Sequence, residues 1–224
     1  MCGRFTLKTP PVEWNQLLLP LIDSPELKQD WQPRYNIAPT QNIWAVFQVP
    51  DESISLGMFR WGLVPFWAKD LAIGNRMINA RAETVHEKRS FSGALKKRRC
   101  MIVADGYYEW QKLSSGTKQP CWISPSSGGV FLMAGLWEKN SQACDETIRS
   151  CTIITTAANE QLASVHDRMP VALEGQAAEH WMNSELETED ALSLLNSAED
   201  GFFQVRNVST LVNNPRNDSA DCLA

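Results

Sequence analysis

No stretch of this 224-residue chain approaches the roughly 20 consecutive apolar residues of a membrane helix, and the segment WNQLLLPLI is too short to be one. No basic n-region followed by an apolar h-region opens the chain, so no secretory signal is read and a cytoplasmic protein is expected. Histidine is scarce, with only His86, His166 and His180. None of the six cysteines forms a CxxC pair, and without clustered ligands no metal site is expected. In a reducing compartment these cysteines serve mostly as free thiols filling the core. Internal repeats and low-complexity linkers are absent. The length and the 43% hydrophobic content suit one domain around one core.

Net charge is −5, which argues against a polyanionic partner until its distribution is read. Residues 60–100 carry ten Lys/Arg against three Asp/Glu, whereas residues 101–224 carry seven against seventeen. A basic segment inside an acidic chain can form a local positive surface for nucleic acid. SGALKKRR is equally compatible with a helix whose C-terminal cations suit its dipole.

Residues 12–22 read as an amphipathic helix, DWQPRYNIAPTQ as an extended, Pro-punctuated loop, and IWAVFQV and SLGMFRWGLV as strands joined by the turn PDES. PFWAKDLAIGNR reads as a loop. A helix is predicted over 87–98, then β-rich runs in CMIVADGYYEWQK, PCWIS, GVFLMAGLWEK and CTIITTAA. Short helices follow near 158–164, 175–185 and 188–197, then a strand in GFFQVRNVS. Consecutive strands flanked by short helices predict an α+β class: a single compact domain with a largely antiparallel, barrel-like β core. Residues 214–224 are expected to be a disordered tail.

Five stretches can carry chemistry. MCGRF places Cys2 where removal of Met1 would make it the N-terminus. A terminal cysteine offers an amine and a thiol on adjacent carbons, both partly nucleophilic near neutral pH. Such a 1,2-aminothiol condenses with an aldehyde to an imine and then closes a thiazolidine. An incidental small residue at position two would look the same. In MINARAET, Asn79 and Arg81 share a face of an extended segment; the amide can orient a reacting group and the guanidinium suits phosphate, though a salt-bridged arginine fits equally. In ADGYYEW, Glu109 between Tyr108 and Trp110 would be partly desolvated, raising its ionisation toward that of a general acid–base, unless it occupies an exposed strand position. In SVHDRMP, His166 beside Asp167 and Arg168 is the histidine best placed for proton transfer; a loop-pinning hydrogen bond is the alternative. RWGLVPFWAKD clusters Trp61, Phe66 and Trp67 among cations, as a stacking platform for unpaired bases or a tryptophan-rich core edge would.

MCGRF, RYNIAP, WGLVPFW, MINARAET, ADGYYEW and VHDRMP occur together, in that order, over about residues 2–213. This set resembles the SRAP family, the SOS-response-associated peptidases or abasic-site processing proteins. The resemblance implies a domain over 2–213 with a positively charged cleft for single-stranded DNA, acting without a cofactor as a monomer at replication forks or single-strand/double-strand junctions, and nucleoid-associated if bacterial. It implies covalent capture of abasic sites by Cys2, with Asn79 positioning it, Glu109 moving protons and His166 beside the reacting sugar. Autocatalytic removal of Met1 would explain the peptidase label. Arg4, Arg81 and Arg168 would hold phosphates and Trp67 would wedge beside the lesion. Ala68 departs from members with a second tryptophan there, and Phe66 substitutes in part. Asn36 and Pro39 would lie near the same cleft. The rival reading is an N-terminal-nucleophile amidohydrolase, in which the Cys2 thiol attacks an amide such as that of glutamine. A nucleic-acid-binding module without covalent chemistry is a third. A general protease is the least supported, since no triad-like setting is visible.

Overall fold

CMIVADGYYEWQK reads as one long strand, but the structure breaks it. Residues 99–104 belong to one sheet, residues 106–112 to another, and Asp105 is the corner. At Gly106 an added Cβ would stand 2.2 Å from the Trp122 indole nitrogen, so only glycine permits the approach. The buried Asp105 carboxylate accepts from the backbone N–H groups of Lys8 and Thr9, both at 2.7 Å, and from the hydroxyls of Thr6 at 2.5 Å and Thr9 at 2.8 Å. These four donors satisfy the buried carboxylate and tie the start of the chain to the corner.

The computed structural model describes residues 2–18, 21–22, 31–49 and 52–224. In chain order the described strands and helices are β1 (Phe5–Leu7), α1 (Pro11–Leu18), β2 (Arg34–Ile37), β3 (Asn42–Phe47), β4 (Ser55–Trp61), β5 (Asn79–Arg81), α2 (Ser92–Lys97), β6 (Arg99–Ala104), β7 (Gly106–Lys112), β8 (Lys118–Pro125), β9 (Phe131–Asn140), β10 (Ile148–Ala157), α3 (Glu160–Ala163), β11 (Arg168–Pro170), β12 (Ala172–Leu173), α4 (Gly175–Met182), α5 (Thr188–Ser193) and β13 (Phe203–Asn207).

Five strands close on themselves: β10 pairs with β4, β4 with β3, β3 with β6, β6 with β9, and β9 with β10 again. Closure leaves this ring no free edge. Phe47, Phe59 and Trp137, from three of its strands, meet edge to face with centroids 4.8 to 5.7 Å apart. β5 and β11 add to β10, and β12 to β9. The second sheet, in the order β13, β8, β7, β1, β2, is antiparallel throughout. The α+β class and the barrel-like, largely antiparallel core are as predicted; the parallel contacts are those of β10 with β4 and β5.

Differences concentrate in short elements. β2 lies inside the predicted loop, and β1, β5, β11 and β12, of two or three residues each, are too short to show alternation. The helices are shorter than their sequence windows. Pro50, Asp51 and residues 19–20 of the first helix window lie outside the described residues. The predicted 65–76 loop contains a 3-10 turn, Leu71–Arg76, capped by Asp70 at the Ala72 N–H.

The expectation of a disordered tail is corrected. Residues 214–224 fold back on the second sheet and end in a 3-10 turn, Ala220–Leu223, with Cys222 and Leu223 buried against Tyr108 and Val208. Asp218 accepts from Arg34 and from the backbone N–H groups of Tyr35 and Asn36. The polar composition suggests disorder, but these side chains are consumed in bonds to β2.

Candidate functional site

The Asp105 corner places β1 between β7 and β2, with Phe5 opposite Tyr107 and the Tyr108 N–H bonded to Arg4 O at 2.9 Å. That register carries Cys2 alongside the Glu109 end of β7. Asn79 arrives from the barrel. Gly62, at φ +116°, turns the chain where a side chain would strike the backbone of Gly74, and Leu63 N–H bonds Met77 O at 3.1 Å. The returning loop delivers β5 parallel to β10, with Asn79 opposite Ile153. The Asn79 amide then donates to Cys2 O at 2.8 Å, joining barrel and sheet at the start of the chain.

Glu109 is buried, with His166 Nε2 3.8 Å from its Oε2. Burial raises the Glu109 carboxyl above its ordinary value; Asp167 adds to the rise and His166 opposes it. His166 Nδ1 has two neighbours that exclude one another for a single proton state. The Arg168 N–H lies at 3.0 Å and can only donate, whereas Asp167 Oδ1 at 2.8 Å can only accept. A bare Nδ1 accepts the Arg168 N–H, and an Nδ1 hydrogen would exchange that bond for one to Asp167. The Cys2 thiol is completely buried, and burial, then the charge of Glu109, push its ionisation well up. It is held as a thiol, 4.0 Å from Arg4 O.

The four expected catalytic residues are thus linked: Asn79 to Cys2 by a bond, Glu109 to Cys2 by charge, and His166 to Glu109 by proximity. The expected DNA contacts divide. Arg81, exposed at the end of β5, lies opposite Thr155. Arg168 donates to Thr155 O at 2.5 Å and grips Glu83 at 2.5 and 2.9 Å. These two cations flank one strand end. Phe66 is 57% exposed, and Trp67 is half-buried with the Arg89 guanidinium 5.4 Å over its ring. Arg89 was not singled out from the sequence. Ala68 is buried, its carbonyl held at 2.9 Å by Asn140, so the site of a second tryptophan is packed interior. Pro39 is half-buried in the turn between β2 and β3.

Asn36 is corrected. Asn36 has no exposed surface, and its amide reaches the carbonyls of Val212, Asn214 and Asn217. Arg4 donates at 2.8 Å both to Asn36 Oδ1 and to Val212 O. Both side chains bolt down the tail; the fully enclosed Asn36 amide cannot touch a phosphate, whereas Arg4 stays partly exposed.

The model of the SOS response associated peptidase family matches residues 1–215. This chain belongs to the SRAP family. Among relatives, the abasic site processing protein YoaM of Bacillus subtilis is 44% identical, with all of this chain aligned to 97% of that protein. The abasic site processing protein HMCES of Xenopus tropicalis is 34% identical, with 87% of this chain aligned to 66% of that longer protein. A crystal structure from Bacteroides thetaiotaomicron superposes with a TM-score of 0.85 over 99% of this chain and 98% of that one; at 21% identity it supports the SRAP fold alone. No described helix is long and apolar enough to cross a membrane.

Proposed function

We propose that this SRAP protein processes abasic sites in DNA by covalent capture in single strands, through Cys2 once Met1 is removed. The observation that carries the reading is the Asn79 amide on Cys2 O at 2.8 Å, beside the buried Glu109 carboxyl with the His166 imidazole 3.8 Å from it. That is the equipment for holding a reactive terminus and moving protons around it. The abasic sugar exchanges between a closed hemiacetal and an open aldehyde. His166 moves the hydroxyl proton that opens the ring. The Cys2 amine adds to C1′, Glu109 supplies the proton with which one water leaves, and an imine remains. The Cys2 sulfur then bonds to the same carbon and closes the thiazolidine. Overall, aldehyde and aminothiol give thiazolidine and one water. Positioning within one complex contributes on the order of several kcal/mol, and general acid–base help roughly 10²–10⁴-fold. Arg81 and Arg168 take phosphates, Phe66 and Trp67 stack on unpaired bases, and binding weakens with salt. The cap protects the strand from β-elimination at replication forks or junctions.

The test is a denaturing gel. Protein with its trimmed N-terminus verified by intact mass is incubated with a single-stranded oligonucleotide bearing one abasic site, beside Cys2→Ala. A band that survives heat and detergent only when Cys2 is present is expected. Absence of that band from correctly trimmed protein overturns the reading, and glutamate release from glutamine would then support an amidohydrolase.

A further inference from the structure

Tyr107 stands two residues before Glu109 on β7, so both side chains leave the same face of the strand. Its ring is completely buried, with its residue opposite Phe5 and its ring edge-on to Phe203 at 5.7 Å. Its hydroxyl is buried too, and makes no hydrogen bond among the described residues. Phenylalanine would pack the same space without burying an unpaired hydroxyl, so this oxygen costs the fold stability and returns none. The tyrosine leaves β7 on the face that also carries Glu109, and burial, then the charges of Cys2 and Glu109, raise its ionisation. The phenol therefore keeps its hydrogen and remains a donor.

We propose that Tyr107 is a further catalytic residue, whose hydroxyl donates to the Cys2 sulfur when that sulfur becomes a thiolate. The inference rests on the capture reading above. As a thiol, the sulfur is a weak acceptor and its own hydrogen is directed toward Arg4 O. During ring closure the thiol proton passes to Glu109, the sulfur lone pair forms the bond to C1′, and the C=N π pair moves to nitrogen, which is protonated in turn. No atom is lost. Between the first and second events the sulfur is an anion in an enclosed site, where no described donor reaches it in the resting state. A bond made only then accelerates the step rather than tightening binding.

Tyr107→Phe removes one oxygen and keeps the ring. In trimmed protein the variant should have a thermal midpoint equal to or above that of the parent. Its heat-stable crosslink should form roughly tenfold more slowly near neutral pH. Iodoacetamide labelling of Cys2, followed by mass spectrometry of the N-terminal peptide across pH, should shift its midpoint upward by about one unit. A merely structural tyrosine would not move that profile. Unchanged labelling and crosslinking rates in the variant overturn the inference. If the parent itself forms no crosslink, the capture reading fails separately, and the labelling profile still decides whether the hydroxyl supports the thiolate.

Discussion

Two polar clusters lie two positions apart on the N-terminal segment, around Cys2 and Arg4, and they are built on opposite principles. Around Arg4, polar groups meet protein partners: Asn36, the tail carbonyls, and Asp218 against β2. Around Cys2, Asn79 Oδ1 and the Tyr107 hydroxyl are buried with no partner among the described residues, and burial raises both the Cys2 thiol and the Glu109 carboxyl. Satisfied buried polar groups hold a fold together, whereas unpaired ones cost stability and persist where something outside the resting protein uses them. The same residue type, Asn, therefore has its side-chain oxygen paired in one cluster and left without a partner among the described residues in the other.

After Cys2→Ala, the largest expected effect that separates the clusters is that of Glu109→Gln. Crosslinking should fall by roughly 10²–10⁴-fold, as loss of a positioned proton carrier does. Stability should move the other way. Because the folded-state carboxyl ionises above its ordinary value, the folded protein holds more protons than the unfolded chain between those two points. Parent stability therefore falls as pH rises through that interval and then levels off. Thermal midpoints measured across pH should show Glu109→Gln gaining on the parent as pH rises through the interval. A variant less stable at every pH would place Glu109 in the structural cluster instead.

Asn36→Ala should do the reverse: a loss of about 1–3 kcal/mol in urea unfolding, with the crosslinking rate of the folded fraction changed by less than about twofold. A large rate loss without destabilisation would move Asn36 back into the site.

That inversion marks what was legible in the sequence. The long strands and the class follow from β-rich runs, and the catalytic candidates from chemistry at Cys2, Asn79, Glu109 and His166. Asn36 was misplaced because an Asn in a Pro-punctuated loop looks the same whether it faces solvent or three tail carbonyls. The tail was misread because its polar residues find partners on β2, more than 170 positions away. Tyr107 was missed for the complementary reason. A tyrosine on a buried strand reads as core, and only an unpaired hydroxyl distinguishes it.

The smallest expected effect concerns Glu83. Arg168 is offered to phosphate by the capture reading, yet it is held by a half-exposed carboxylate at 2.5 and 2.9 Å. The bond to Arg168 holds the Glu83 carboxyl below its ordinary value, so it stays charged throughout the neutral range and acid does not release the guanidinium until well below it. A DNA phosphate must therefore displace Glu83 or share Arg168 with it. Glu83→Gln removes the competing charge, and single-stranded DNA should bind roughly two- to fivefold more tightly at low salt. The salt dependence should steepen by a fraction of the roughly 0.7 expected for one added cation–phosphate contact. Fluorescence anisotropy over a salt series reads both. Weaker binding in this variant would mean that Glu83 holds Arg168 in the orientation the phosphate needs, and the pair would then belong with the satisfied, structural cluster around Arg4.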